Sequence, residues 1–289
     1  MPFEPAEYLF LARADAVIRN RLANGPGDDM QCRSNMIHRK RRVIAPLVIV
    51  FLCVVPLRTR AQGGPPLLTD DPGTPGNGRW EINLANAAQK SQGGRAADLP
   101  RVDINYGLGR NVQVKYEAAW TFSGGGAAAT RSGLSNSLAG VKWRFLDAKQ
   151  AGFDMSTYPQ IEFNNPTGSL DRGLVDQGPN LFIPIEAGRT FGATAIVGEI
   201  GRWIMRGASD QWVGGLAMGR QWTDALELLA ELHATTDSAF RHADPVVNVG
   251  ARQLVNESFT LLASAGTGLR NSVDRTQWSF YVGLQFHIQ

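Results

Sequence analysis

Thr69-Asp70-Asp71 sets two adjacent carboxylates among glycines and prolines, residue types that a calcium ion would use. A calcium loop needs further acidic groups at fixed spacing, and none follow, so a turn is the better reading. His233, His242 and His287 share no metal-ligand spacing. No Gly-x-Ser-x-Gly elbow and no close His–Ser pair is present to build a nucleophile. Asn256-Glu257-Ser258 matches a glycosylation sequon, but a tight turn is the better reading. Both cysteines, Cys32 and Cys53, fall before residue 62, so the remaining chain offers no thiolate and no disulfide. These residues predict no catalytic centre, no metal and no cofactor.

The other charged residues follow one rule of position. Gln113, Lys115 and Glu117 alternate with Val112, Val114, Tyr116 and Ala118. Asp103 and Asn105 alternate with Val102, Ile104 and Tyr106, and Lys142 and Arg144 with Val141, Trp143 and Phe145. Glu81, Glu162, Glu186, Glu199 and Arg202 extend the set along neighbouring segments. A period of two puts one side-chain class on each face of a β-strand. The final segment is the cleanest: Trp278, Phe280, Val282, Leu284 and Phe286 alternate with Ser279, Tyr281, Gly283, Gln285 and His287.

Twelve strands are expected: Arg79–Lys90, Leu99–Gly107, Asn111–Phe122, Ser137–Leu146, Thr157–Asn165, Leu181–Gly188, Ala193–Met205, Gln211–Trp222, Leu226–Thr235, Pro245–Val255, Ser258–Gly268 and Thr276–Ile288. Pro184 is unwelcome in an ordinary central strand. LELLAELHA, from Leu226, has helix propensity, but Glu227, Glu231 and His233 alternate with its leucines and favour strand. Tight breaks at Gly109, Gly192, Thr223-Asp224 and Asn256-Glu257 interleave with longer ones at Ser91–Asp98, Ser123–Asn136 and Pro166–Asn180. Short turns at one rim and longer loops at the other are the habit of outer-membrane barrels.

Charge and hydropathy divide the chain at residue 62. Of the 29 Lys and Arg and 26 Asp and Glu, residues 1–61 hold 10 and 5, and residues 62–289 hold 19 and 21. The net of +3 therefore belongs to the N-terminal segment, which removes support for a nucleic-acid surface on the main domain. Met36-Ile-His-Arg-Lys-Arg-Arg, the apolar run Val43–Leu57 and Thr59-Arg60-Ala61 together read as a secretion signal cleaved before Gln62. The run contains Pro46 and Pro56 and falls short of the ~20 apolar residues of a membrane helix. Residues 1–35 are then expected to be a gene-model extension or disordered, 36–61 a signal peptide, 62–78 a periplasmic lead-in and 79–289 the barrel.

Alternation alone does not say which face meets what. A soluble barrel points its apolar face inward; an outer-membrane barrel points it at lipid. Trp80, Trp120, Trp203, Trp212, Trp222 and Trp278 cluster near strand ends, as interfacial girdles require. With the export signal and about twelve strands, these favour an all-β, transmembrane, antiparallel up-and-down β-barrel. Its expected lumen lining is Glu81, Asp103, Asn105, Lys115, Glu117, Lys142, Arg144, Glu162, Glu186, Glu199 and Arg202.

Leu68-Thr69-Asp70-Asp71-Pro72-Gly73-Thr74-Pro75-Gly76-Asn77-Gly78-Arg79-Trp80-Glu81-Ile82-Asn83 resembles the opening of outer-membrane transporters labelled "MetA-pathway of phenol degradation". Val102–Leu108, Val112–Glu117 and Gly140–Phe145 resemble that family's next strands, and beyond about residue 146 only the strand rhythm continues. The resemblance implies an outer-membrane barrel of a Gram-negative cell that passes aromatic or other small hydrophobic compounds. The partners expected are outer-membrane lipid, a small-molecule solute and the barrel-assembly machinery, with no nucleic acid. Passive admission of small solutes is the leading expectation. A structural or binding barrel plugged by charged pairs and an inserted terminus is the alternative, and a lipid-modifying enzyme comes third.

Overall fold

The computed structural model describes residues 64–91, 93–125, 129–270 and 275–289. The expected signal peptide and the expected extension before it lie outside the described residues. From Trp80 onward the chain forms β1 Trp80–Ser91, β2 Arg95–Leu108, β3 Val112–Gly124, β4 Arg131–Leu134, β5 Ser137–Leu146, β6 Asp154–Thr157, β7 Gln160–Phe163, β8 Asn180–Phe191, β9 Thr194–Ile204, β10 Gln211–Gln221, β11 Leu226–Asp237, β12 Asp244–Asn256, β13 Phe259–Gly268 and β14 Thr276–Ile288. One helical turn, α1 Ala148–Ala151, sits between β5 and β6. No described helix is long and apolar enough to cross a membrane.

All ladders are antiparallel, and β14 pairs back onto β1 from Trp80↔Ile288 to Lys90↔Trp278, which closes the sheet. β4 and β5 both pair with β3. β6 and β7 both bridge β5 to β8. Counting each broken pair as one stave gives a closed barrel of 12 strands. Closure pairs the backbone amides across strands and leaves no edge, which is the condition for crossing lipid with strands.

Burial runs opposite to that of a soluble protein. Leu84, Tyr116, Trp120, Val141, Ile200, Leu216, Val249, Phe280 and Val282 are exposed on the outer face. Asn83, Asp103, Lys115, Glu117, Lys142, Glu186, Glu199, Glu231 and Asn248, alternating with them, are buried on the inner face. An apolar outside and a charged inside suit a barrel solvated by lipid.

Aromatic side chains mark the two ends of this band. Trp80 against Tyr106, with ring centroids 4.5 Å apart, lies at the rim of short turns, with Trp143, Phe145 and Trp222 around it. Trp120, Trp278 and the stacked pair Trp212–Phe240 lie towards the rim of longer loops. The short-turn rim carries both ends of the barrel, Trp80 and Ile288. Its turns at Gly109 and Gly192 have positive φ, 71° and 58°, which glycine adopts without a Cβ clash.

Three expectations needed adjustment. Arg95–Asp98, expected in the first long-rim connection, belong to β2. β4 takes up part of the Ser123–Asn136 loop. The fifth stave breaks at Tyr158-Pro159, and Pro184 of β8 faces that break: its two flanks pair with Thr157 and Gln160. A residue with no N–H fits where the neighbouring ladder is interrupted. The Thr157 hydroxyl donates to the Pro184 carbonyl at 2.8 Å.

Candidate functional site: the lumen and its inserted segment

Residues 64–73, part of the stretch expected as a lead-in, are hydrogen-bonded to the barrel wall. They enter the lumen from the short-turn rim, turn at Leu67-Leu68, and return to that rim. The Gly64 N–H donates to the Thr69 carbonyl at 2.8 Å, closing the turn, and the Thr74 hydroxyl donates to the Arg110 carbonyl at 3.0 Å near the mouth. A Pro- and Gly-rich stretch has no helix or ladder of its own, so its backbone groups must find partners on the wall.

Those partners are charged side chains. The backbone N–H groups of Leu68 and Thr69 both donate to the Glu231 carboxylate, the first at 3.0 Å. The Asp70 N–H donates to Glu199 Oε2 at 2.7 Å. Lys142 Nζ donates to Asp70 Oδ1 at 2.9 Å and to the Asp71 carbonyl, and pairs with Glu186 at 3.3 Å. Arg252 donates to the carbonyls of Gly64 and Pro65 and pairs with Glu227 at 3.1 Å. The Ser264 hydroxyl donates to the Pro66 carbonyl at 2.6 Å. Charge-assisted hydrogen bonds of this kind are stronger than neutral ones, and burial strengthens them further.

The wall is also shaped for the segment. A Cβ on Gly215 would stand 3.0 Å from Thr69 Cβ, one on Gly188 3.2 Å from Pro72 Cγ, and one on Gly250 3.4 Å from Pro66 Cγ. Thr69 is fully buried. Leu67 packs on Ala217 and Leu229, and Leu68 on a cluster of Leu138, Phe182, Trp203, Met205 and Val213. The Phe182 and Trp203 rings stack 4.7 Å apart, and the indole N–H of Trp203 is buried without a hydrogen-bond partner. An unpaired buried donor costs about 1–3 kcal/mol.

A second network lines the wall beside the segment. Asp103 accepts from Asn83 at 3.2 Å and Asn105 at 3.0 Å, and lies 3.8 Å from Lys115. Lys115 pairs with Glu117 at 3.3 Å, and Glu117 with Arg101 at 2.7 Å. Gln113 bridges Asn105 and Tyr158, and Lys142 lies 4.6 Å over the Tyr158 ring. Towards the long-loop rim, Glu162 accepts from Asn136 at 2.8 Å and Asn180 at 3.1 Å. Below the inserted segment a cavity of about 1280 Å³ opens at the short-turn rim, bounded by residues that include Glu81, Arg144, Glu227, Arg252 and His287.

The structure thus sets Lys142 and Glu199 on the inserted segment, with Glu186 against Lys142, and brings Asp103, Asn105, Lys115 and Glu117 into the adjoining network. Glu162 stands apart near the long-loop rim. Glu81 and Arg144 line the mouth, where Arg144 donates to the Arg110 carbonyl at 2.8 Å. Arg202 is a correction. It faces outward, pairs with Asp210 at 2.8 Å and lies 5.5 Å over Trp212. Trp203, expected in the girdle, is instead buried inside. β9 runs without a bulge, so inward Glu199 forces inward Gly201 and Trp203 and outward Arg202. Glu231, Arg252 and Arg101 were not among the expected lining residues. Glu231 shares a polar face with Glu227 and His233, so alternation was a usable signal for it. Among the described residues, no group of three or more His, Cys, Asp or Glu could hold a metal ion.

The barrel has the fold of outer-membrane β-barrels. No protein-family model and no curated protein matches the sequence. Among solved structures, the NanC porin is similar, with a TM-score of 0.51 and 6% identity over 71% of this chain and 98% of that one. The KdgM porin gives 0.49 at 11% identity over 71% and 98%. An outer membrane channel from Pseudomonas putida gives 0.49 at 11% identity over 73% and 95%.

Proposed function

We propose that the protein is a passive channel of the Gram-negative outer membrane, admitting small solutes through a lumen that residues 64–73 close. The observation that carries this reading is the way the lumen is filled. It holds one chain segment, fastened by hydrogen bonds and ion pairs to Lys142, Glu199, Glu231 and Arg252, with an open vestibule beneath. A barrel built only as a scaffold could fill its interior with its own side chains, as small barrels do. The apolar outer face and the two aromatic rings support insertion in lipid, and the barrel-assembly machinery is the route proposed for it. The resemblance of Leu68–Asn83 to the phenol-degradation transporters supports small aromatic or hydrophobic compounds as the solutes.

The test is planar-bilayer conductance of the mature chain and of a chain lacking residues 64–73. The deletion is expected to raise conductance at least tenfold while the barrel keeps its heat-modifiable gel migration. Equal, negligible conductance from both, with the barrel intact, would contradict the channel. The second reading, a closed binding or structural barrel, draws on the full burial of Thr69 and Glu186. It predicts that second result.

A further inference from the structure

Much of the lumen wall is polar, yet among the described residues it contains a stacked aromatic shelf. The Phe182 ring lies across Gly201, where a Cβ would come within 2.5 Å of it, and stacks on Trp203 at an interplanar angle of 15°. Leu138, Met205 and Val213 complete the shelf, and the side chain packed against it from the inserted segment is Leu68. Hydrogen bonds and ion pairs already fasten the segment through Glu199, Glu231, Lys142 and Arg252. A leucine contact needs only an apolar surface, and Phe at position 203 would supply one. The fully buried indole N–H of Trp203, which has no acceptor, serves neither the wall nor Leu68.

We propose that this shelf is a solute site and that Leu68 occupies it as a tethered stand-in. The ligand class is a flat hydrophobic molecule carrying one hydrogen-bond acceptor. Its body replaces Leu68 over the Phe182–Trp203 stack, and its acceptor takes the Trp203 N–H. Solute binding and docking of the segment's tip then compete for one surface. This deepens the channel reading by giving the solute a location and a polar requirement, and it rests on that reading for its purpose.

The experiment titrates two matched probes, 4-fluoroacetophenone and 1-ethyl-4-fluorobenzene, into the mature protein in nanodiscs, followed by fluorine NMR. The probes share a para-fluorophenyl ring and a two-carbon side chain, and only the first carries a carbonyl acceptor. Leu68→Ala is expected to tighten both about tenfold, because it removes the competitor and leaves the wall untouched. Trp203→Phe is expected to weaken the acetophenone severalfold without moving the ethylbenzene, which erases the preference between them. Unchanged affinities in Leu68→Ala would overturn the proposal, and so would an equal loss of both probes in Trp203→Phe. Because Leu68 is not part of the barrel wall, its arm remains decisive if Trp203→Phe fails to fold. Planar-bilayer conductance of the chain lacking residues 64–73 separates the two claims. Binding at the shelf with negligible conductance of that chain overturns the channel alone, and its conductance without binding at the shelf in the mature protein overturns this site alone.

Discussion

Lys142 reaches from the wall to two partners at once, Asp70 of the inserted segment and Glu186 of β8. Removing one member of a buried ion pair leaves an uncompensated charge, at a cost of about 3–5 kcal/mol. Lys142→Met should therefore loosen the segment and raise bilayer conductance severalfold, and conductance identical to wild type would refute its role as a latch. Gly215→Val tests the same docking by shape alone, since a side chain there collides with Thr69. It should raise conductance with no change in lumen charge. Most of the lining was legible at this scale, because alternation assigns each residue to a face once one neighbour is fixed. The error at Arg202 came from reading residue type ahead of period: a charge was placed inside and the adjacent Trp203 outside, although Glu199 four positions from Trp203 already set the phase.

Strands were the most legible elements, since a half-buried strand repeats every two residues whichever solvent it faces. The breaks at Ser135-Asn136 and Tyr158-Pro159 were not legible, because their hydrogen bonds go to partners distant in sequence, such as Val141 N–H donating to the Pro159 carbonyl at 3.0 Å. The lipid face of these elements carries a stability prediction. Leu216→Arg, on the outer face within β10, should cost about 2–4 kcal/mol if its depth is near the bilayer midplane. Denaturant unfolding in lipid vesicles reads it, and a cost near zero would place that face away from the membrane interior. The turn between β5 and β6 gives a pH prediction. The Lys149 N–H donates to Asp147 Oδ1 at 2.9 Å, and this bond holds the Asp147 carboxyl below its usual range. A depressed folded pKa means that the bond's stabilisation is present above the ordinary carboxylate value and is lost as pH falls through the lowered one. The Lys149 amide shift should therefore titrate below the usual aspartate range, and titration within or above that range would contradict the cap.

At the scale of the whole molecule, the strand count and closure follow from the sequence, but the filling of the lumen does not. Gly64–Gly73 has no hydropathy period, and its composition predicts only turns. What seats it are contacts 71 to 198 residues away in sequence, from Lys142 to Ser264, which no local pattern encodes. This segment is proposed to be the closure of a conducting barrel. The most direct measurement joins the segment to the wall reversibly. Residues 62–289 contain no cysteine, so Thr69→Cys with Gly215→Cys introduces a single candidate disulfide across positions already in contact. The oxidised pair is expected to block bilayer conductance, and dithiothreitol to restore it. Conductance that is the same before and after reduction, with the crosslink verified by mass spectrometry, would contradict it.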